Sequence, residues 1–302
     1  MQKRSVRTFI LATILMFTLG AAANAATLKL AMDADPVSLD PHVQLSGGML
    51  QYSHMVFDPL VRWTPDGDFE PRLAVKWEMI NATTTRFHLR KDVKFHSGNM
   101  FTADDVVFTL ARLKTSDDFK GLFEYFTGAK AVDPHTVDLM TKEPYGLVMA
   151  MATYIFPMDK AFYSGTDPKN NKPKDLLLKT DYSFANFNQS GTGPFKVTQR
   201  EQGVKTTFAR FADYWDKDTG NVSEIIFTPI SEAPTRVAAL LSGDVDFIMP
   251  VPPADLERVE TTKGLKLVTM SGGRIITFQL NQKRRAEFAN PKVRLAMAHA
   301  YN

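Results

Sequence analysis

Few side chains in this sequence have the type and spacing that catalysis or metal binding requires. Asp104-Asp105 is an adjacent carboxylate pair, which could act as acid and base or hold a cation. The pair falls at the start of a helical pattern, with Thr102 as a capping residue. Acidic residues there interact favourably with the helix dipole, so the pair is interpreted as a helix start.

Neither the histidines nor the glycine-rich motif point to a reaction centre. The chain has six histidines and no cysteine, and no two histidines follow the H-x-x-x-H spacing of a zinc site. His88 and His96 lie in a strand-turn-strand pattern and are interpreted as surface or packing residues. Gly191-Thr192-Gly193 precedes Pro194, which lacks the backbone donor of a phosphate loop, so it predicts a tight turn before a strand.

No nucleophile motif of the G-x-S-x-G type is present either. The sequence therefore predicts no catalytic residue, no metal site and no cofactor, and the protein is not expected to be an enzyme.

The amino terminus has the order of an export signal. Lys3, Arg4 and Arg7 precede an apolar run over residues 9–19, and Ala23-Asn24-Ala25 follows. This order predicts a signal peptide over residues 1–25 with cleavage after Ala25. The run is shorter than the roughly 20 residues of a membrane-spanning helix, which disfavours the alternative of a retained anchor. Without a cysteine after the signal there is no lipid anchor, so a periplasmic location is predicted.

The charge balance gives no sign of a nucleic-acid partner. The chain has 36 Lys and Arg against 33 Asp and Glu, and three of the cations lie in the signal peptide. The remainder is formally neutral, with dispersed charges. No basic patch for nucleic acid is therefore predicted.

Predicted strands and helices alternate along the chain, which indicates a mixed α/β fold. Turn residues separate the elements, and Asn290-Pro291 opens the final helix as cap and first residue. The strands are predicted at 28–32, 86–89, 93–95, 137–140, 195–200, 205–211, 225–230, 245–249, 265–270 and 275–280. The helices are predicted at 46–57, 102–113, 233–241 and 253–260, and from 290 onward.

Several short motifs occur in an order that resembles one protein family, the extracellular solute-binding proteins of family 5, the dipeptide and oligopeptide type. Each motif alone is weak, but together they extend over almost the whole mature chain. In chain order they are Ser38-Leu39-Asp40-Pro41-His42, Leu73-Ala74-Val75-Lys76-Trp77-Glu78, Phe87-His88-Leu89-Arg90, Val93-Lys94-Phe95-His96-Ser97-Gly98, Phe101-Thr102-Ala103-Asp104-Asp105-Val106, Gly191-Thr192-Gly193-Pro194-Phe195-Lys196-Val197, Tyr214-Trp215, Gly243-Asp244-Val245-Asp246 and Val293-Arg294-Leu295-Ala296.

The resemblance implies a periplasmic-binding-protein type II-like fold, in which two lobes close on a ligand. The chain would supply the first lobe, built of two subdomains, and the start of the second. The implied parts are a larger subdomain at 26–57 and 187–272, an inserted subdomain at 58–186, a crossing hinge strand at 273–283, and the second lobe from 284 to 302.

The family pattern continues beyond residue 302, so the sequence is expected to be a fragment. The final helix carries an apolar face of Val293, Met297 and Ala300, which the sequence leaves uncovered. In peptide-binding relatives, the acidic residue for the ligand's amino terminus lies in the part that is absent here.

Six ligand-binding residues are implied by the resemblance. Leu45, Ser46 and Gly47 match the edge that meets the ligand backbone, with an ordinary loop before a helix as the alternative. Met249 and Pro250 end a cleft-lining strand, and Phe278 lies on the crossing strand. Met249, Pro250 and Phe278 are apolar where some peptide binders carry polar groups, which leaves room for a more apolar ligand.

The function that the resemblance implies is capture of a small peptide or peptide-like solute. A monomeric binding protein would deliver it to the membrane permease of an ABC importer. The alternatives are a periplasmic enzyme, a chaperone or a sensor on a similar scaffold.

Overall fold

The computed structural model describes residues 26–179, 181–217, 220–270 and 277–301. The predicted signal peptide lies outside these residues. The chain divides into two compact units, one up to Asp255 and one from Leu256 onward. No helix among the described residues is both long enough and apolar enough to cross a membrane.

The first unit contains eleven strands and six helices among its described residues. The strands are β1 Ala26–Met32, β2 Val61–Trp63, β3 Phe69–Pro71, β4 Ala74–Asn81, β5 Thr84–Leu89, β6 Phe126–Asp133, β7 Thr136–Thr141, β8 Phe195–Glu201, β9 Lys205–Arg210, β10 Val222–Pro229 and β11 Phe247–Met249. The helices are α1 Gly47–Val56, α2 Ala103–Leu113, α3 Val148–Ala152, α4 Lys160–Tyr163, α5 Phe184–Phe187 and α6 Ala233–Ser242.

A five-stranded sheet has the order β11-β1-β10-β9-β8. Strand β1 runs parallel to both of its neighbours, whereas β9 is antiparallel to β10 and β8. Leu30, Ala31 and Met32 at the end of β1 are buried, as expected for a strand in a parallel environment. Helix α1 packs on this sheet with residues spaced at helical intervals, and its buried residues are Met49, Tyr52, Ser53 and Val56.

A four-stranded antiparallel sheet of order β4-β5-β7-β6 forms the second core with helix α2. Val106, Leu110 and Leu113 form the buried stripe of this helix, as the sequence predicts. The backbone N–H of Thr102 donates to Asp105 Oδ2 at 2.8 Å, and Asp104 lies 3.4 Å from Lys160 Nζ. The helix-start interpretation of Asp104-Asp105 is therefore confirmed.

The sequence predictions for the first unit hold at the hairpin and at the end of α6 but not at residues 93–95. Residues 93–95 are not a strand, because only an isolated bridge from Lys94 to Met100 forms there. The hairpin predicted across Gln202-Gly203 is confirmed as β8 and β9. Gly243 ends α6 at a φ of 81°, the left-handed conformation that a glycine stop allows.

The second unit contains helices α7 Leu256–Thr261 and α8 Pro291–Ala300 and a 3-10 turn at Ala286–Ala289. Asn290 caps α8 by accepting from Lys292 N at 3.0 Å, which confirms the predicted helix start. The strand predicted at 265–270 is wrong, since a β-rich segment becomes a strand only by pairing and none of these residues pairs. Residues 277–280 also form no strand, and 275 and 276 lie outside the described residues.

The predicted subdomain boundaries at 57/58, 186/187 and 272/273 stay predictions. The strands of the five-stranded sheet come from residues 26–32 and 195–249, and those of the four-stranded sheet from 74–141.

Candidate functional site

The carboxyl ends of three parallel strands meet at one edge of the five-stranded sheet. Met32 at the end of β1 pairs with Pro229 of β10 on one side and Met249 of β11 on the other. One residue further on, Ile230 N donates to Met32 O at 2.8 Å. Ligands of open α/β sheets bind outside the carboxyl ends of strands, so this edge is the candidate site.

A buried arginine fixes the chain as it leaves two of these strands. Arg236 of α6 is 2% exposed, and its Nη1 donates to Ile230 O at 2.7 Å and to Ser231 O at 3.2 Å. Its Nη2 donates to Pro250 O at 3.0 Å. One guanidinium thus connects the ends of β10 and β11, since a planar donor fork can serve several carbonyls at once.

Helix α1 begins next to this edge. Ser46 caps the helix by accepting from Met49 N at 3.3 Å, and Gly47 is its first residue. One turn later, Gln51 Nε2 lies 3.6 Å from Met249 Sδ. The structure therefore brings the predicted segments 45–47 and 249–250 to the same sheet edge.

Leu45 and Ser46 precede helix α1, and Gly47 is its first residue. Leu45 and Gly47 are exposed, and the backbone N–H of Leu45 donates to Asp118 Oδ2 at 3.0 Å. Asp118 also pairs with Lys179. The bond from Lys179 lowers the pKa of Asp118, partial burial opposes this, and the bond from Leu45 lowers it further. The ligand-binding role of the segment stays a prediction.

Phe278 lies in the second unit. Its side chain is 79% exposed, and its ring contacts the edge of Tyr301 with 6.0 Å between the ring centres. Its predicted contact with a ligand stays a prediction.

A buried ion pair anchors the loop between β1 and α1. Arg112 of α2 donates to Asp40 Oδ1 at 2.8 Å and pairs with Oδ2, and both side chains are almost fully buried. Arg112 Nη1 also lies 3.0 Å from His42 Nδ1. Burial alone would raise the pKa of Asp40, but the adjacent guanidinium outweighs it and the pKa falls below its usual value. Burial, followed by repulsion from Arg112, lowers the pKa of His42 to about 3.

A second buried carboxylate joins the other end of α1 to distant segments. Asp58 Oδ1 accepts from Arg72 Nη2 at 2.8 Å and from the Tyr214 hydroxyl at 3.0 Å. Asp58 Oδ2 accepts from Trp215 Nε1 at 2.9 Å. Desolvation raises the pKa of Asp58 in spite of Arg72. This carboxylate holds segments that are far apart in sequence.

The motif Gly191-Thr192-Gly193 packs directly on the end of α1. Gly193 N donates to Val56 O at 2.8 Å, and a Cβ on Gly191 would lie 2.0 Å from that oxygen. The two glycines are required because the backbones cross too closely for side chains. The motif is a bend before β8, as the sequence predicts.

The histidines considered as metal ligands have structural partners. His88 Nε2 lies 2.8 Å from Glu78 Oε1, and His96 Nε2 lies 2.9 Å from Gly193 O while its ring packs on Phe211. Within the described residues, no group of three or more His, Asp or Glu side chains is placed to hold a metal ion. The interpretation of His88 and His96 as surface or packing residues is confirmed.

Sequence reasoning missed the three side chains that position this edge: Arg236, Arg112 and Asp118. Their partners lie at Pro250, Asp40 and Leu45, and the last two are 72 and 73 positions away in the chain. No local pattern links residues at such separations. The one available signal was Arg236, which lies on the same face of helix α6 as the apolar residues Val237 and Leu240.

Comparisons with known proteins identify the same family that the sequence motifs resemble. The family of bacterial extracellular solute-binding proteins, family 5 Middle, matches residues 68–302. The dipeptide-binding protein of Escherichia coli (strain K12) is 28% identical over 96% of this chain and 57% of its own. The chain therefore spans little more than half the length of this relative.

Solved structures of similar proteins share the fold. AgaA from A. tumefaciens R10, in complex with agropinic acid, superposes with a TM-score of 0.69 at 27% identity, over 79% of this chain and 46% of its own. AppA from Bacillus subtilis, an oligopeptide-binding protein in complex with a nonapeptide, has a TM-score of 0.71 at 22% identity, over 81% and 47%. The fold is that of the periplasmic binding proteins, and the chain belongs to the bacterial extracellular solute-binding proteins of family 5.

Proposed function

We propose that this chain is part of the substrate-binding component of a peptide-type ABC importer, and that it captures a small peptide or peptide-like solute. Its family supports this, as do the relatives named for dipeptide and oligopeptide binding. The observation that carries the proposal is that helix α1, which begins at Gly47, contacts Met249 at the carboxyl end of β11 through Gln51.

The ligand would be recognised mainly through backbone groups at this edge. Main-chain hydrogen bonds tolerate many side-chain sequences, which suits a protein that accepts a class of peptides. The neighbouring Met249 side chain is apolar and would favour solutes with an apolar part.

The protein would act by differential binding rather than by chemistry. A ligand shifts a two-state equilibrium only by its difference in affinity for the two states. Closure of two lobes about a hinge is a recurring form of such a change. The closed, liganded form would then be recognised by the inner-membrane permease, with the binding protein as a monomer.

A periplasmic location follows from the predicted signal peptide at 1–25 and from the absence of cysteine in the sequence. The protein would be exported, cleaved after Ala25, and would carry no lipid anchor. The family is described as extracellular, which agrees with export.

The proposal is tested by thermal-shift and calorimetric titration of the protein with dipeptides, tripeptides, glutathione, nickel chelates and oligosaccharides. A ligand bound only by the folded state raises the melting temperature. We expect stabilisation by short peptides, recovered unchanged by mass spectrometry. Chemical turnover of any of these compounds would contradict the proposal, and so would stabilisation by none of the peptides.

A further inference from the structure

A cavity lies beside the edge strand β8. Its volume is about 370 Å³, within the range of roughly 300–1,000 Å³ typical of small-molecule pockets. The loop after β1 forms one wall with Val37 and Leu39, and the end of β8 forms another. Strand β8 is three positions from β1 in the sheet, which corresponds to about 14 Å. Leu45, Ser46 and Gly47 are not among the lining residues, but the cavity is connected to them through Lys179, which lines it and pairs with Asp118, the acceptor of the Leu45 N–H.

An aromatic ring forms part of the cavity wall. Phe187 stacks on Tyr182, with 5.2 Å between ring centres and 16° between planes, and its side chain remains 56% exposed. Both residues line the cavity. A rigid, exposed ring gives a flat apolar surface on which a ligand with an apolar face can stack.

Three glutamines also line the cavity. The side-chain amide of Gln199 has no hydrogen-bond partner among the described residues. The amide of Gln202 makes one long contact, from Nε2 to Val37 O at 3.4 Å. The amide of Gln189 is covered and also lacks a partner, since its approach to the Tyr52 hydroxyl does not have hydrogen-bond geometry. A primary amide both donates and accepts, as a hydroxyl group does.

The charges of the cavity disfavour an anionic ligand. Lys179 pairs with Asp118, and Arg200 donates to Asp35 Oδ2 at 3.2 Å, so both cations already have a carboxylate partner. The carboxylate of Asp181 is exposed and has no partner among the described residues. It could accept hydrogen bonds from a neutral ligand but would repel an anion.

We propose that this cavity binds a neutral polyhydroxylated ligand of the saccharide class. Sugar rings present one apolar C–H face and a periphery of hydroxyl groups. Phe187 would stack on the face, while Gln199, Gln202 and Asp181 would bond the hydroxyl groups. Gln189 would join them after rotation about its side-chain bonds. None of these four residues belongs to the proposed peptide site.

The test is ligand-detected saturation-transfer NMR with glucose, maltose and glucuronate as probes. We expect saturable binding of glucose and maltose, and weaker binding of glucuronate because of Asp181. Phe187→Ala should weaken binding by roughly two- to twelvefold, which is the equivalent of the about 0.5–1.5 kcal/mol that an aromatic contact contributes. Gln199→Ala, at an exposed position, should also weaken it without affecting the fold.

The matched control is Trp63→Ala, which removes another exposed aromatic ring, packed against Phe69 of β3 with 37° between the ring planes. It should leave saccharide binding unchanged. The proposal is overturned if neither neutral sugar gives a saturable signal up to its solubility limit. It is equally overturned if Phe187→Ala binds as well as Trp63→Ala, or if glucuronate binds best. Peptide titrations of the same variants are expected to match the unsubstituted protein, so the two sites can be judged separately.

Discussion

The backbone N–H of Leu45 donates a hydrogen bond to Oδ2 of Asp118 at 3.0 Å, across 73 positions of sequence. Asp118 is fixed in turn by Lys179. The exposed segment before α1 is thus held by a side chain of a different part of the fold. A segment that is held before the ligand arrives loses less conformational entropy on binding.

Asp118→Ala is therefore expected to weaken binding of a peptide ligand, because the Leu45 amide loses its acceptor. A hydrogen bond to a charged group contributes about 1.5–3 kcal/mol, and the partial exposure of this site places the loss at the lower end, which corresponds to an increase of about tenfold in Kd. Asp118→Asn keeps an acceptor oxygen and should have a smaller effect. Isothermal titration calorimetry measures both, and equal Kd values for all three proteins would contradict the positioning role.

Arg112→Ala is expected to destabilise the fold by about 3–5 kcal/mol, because it leaves the carboxylate of Asp40 buried without its cationic partner. Urea unfolding at neutral pH measures this. Arg62→Ala is the matched control, because it breaks an ion pair on the surface. Arg62 pairs with Glu70, and the side chain of Arg62 is 48% exposed. Exposed pairs contribute about 0–1 kcal/mol. Similar losses of unfolding free energy in the two variants would show that the buried Arg112–Asp40 pair contributes no more to stability than an exposed pair.

Stability is expected to fall as the pH is lowered from 7 to 5. Burial, and then Arg112, depresses the pKa of His42 from 6.5 to about 3 in the folded state. Between those values the unfolded chain binds the extra proton, so acid favours unfolding. Burial also lowers the pKa of His96 to about 4, which gives the same sign. His42 alone should account for roughly 2 kcal/mol over this range.

The measurement is the free energy of unfolding in urea at pH 7 and at pH 5, for the unsubstituted protein and for His42→Gln. The variant has no imidazole to titrate at this position, so its loss between the two pH values should be smaller, whatever its stability at pH 7. A stability that is flat or rises toward pH 5 in the unsubstituted protein would contradict the assignment of a buried neutral His42.

Gly193→Ala is expected to destabilise the protein by about 1–3 kcal/mol or more, because its Cβ would lie 2.5 Å from the backbone carbon of Val56. Gly121→Ala is the control, since a Cβ there has no neighbour within 4 Å. Thermal unfolding of the two variants compares them directly. A melting temperature of Gly193→Ala as high as that of Gly121→Ala would disprove the close crossing with α1.

Local patterns in the sequence predicted local structure well. Thr102 with Asp104-Asp105 predicted the start of α2, and Asn290-Pro291 predicted the start of α8, because caps depend on neighbours in the chain. The hairpin of β8 and β9 was predicted for the same reason. Strands at 93–95 and 265–270 were predicted wrongly, since strand propensity is realised only where a partner strand is available.

The candidate site was predictable only through its resemblance to a family. That resemblance placed Met249 and Leu45–Gly47 at a ligand edge, and the structure puts both at the same end of the sheet. Two of the side chains that hold this edge, Arg112 and Asp118, have partners far away in sequence. Composition and periodicity carry no information about such pairs.

The most direct test is a two-dimensional NMR titration of the isotopically labelled protein with dipeptides such as alanyl-alanine. We expect saturable shifts of the backbone amides of Leu45, Ser46 and Gly47 and of the Met249 methyl group, with no chemical change in the dipeptide. The proposed peptide site would be contradicted if these signals stayed unchanged while the dipeptides shifted residues elsewhere, or if no signal shifted with any dipeptide.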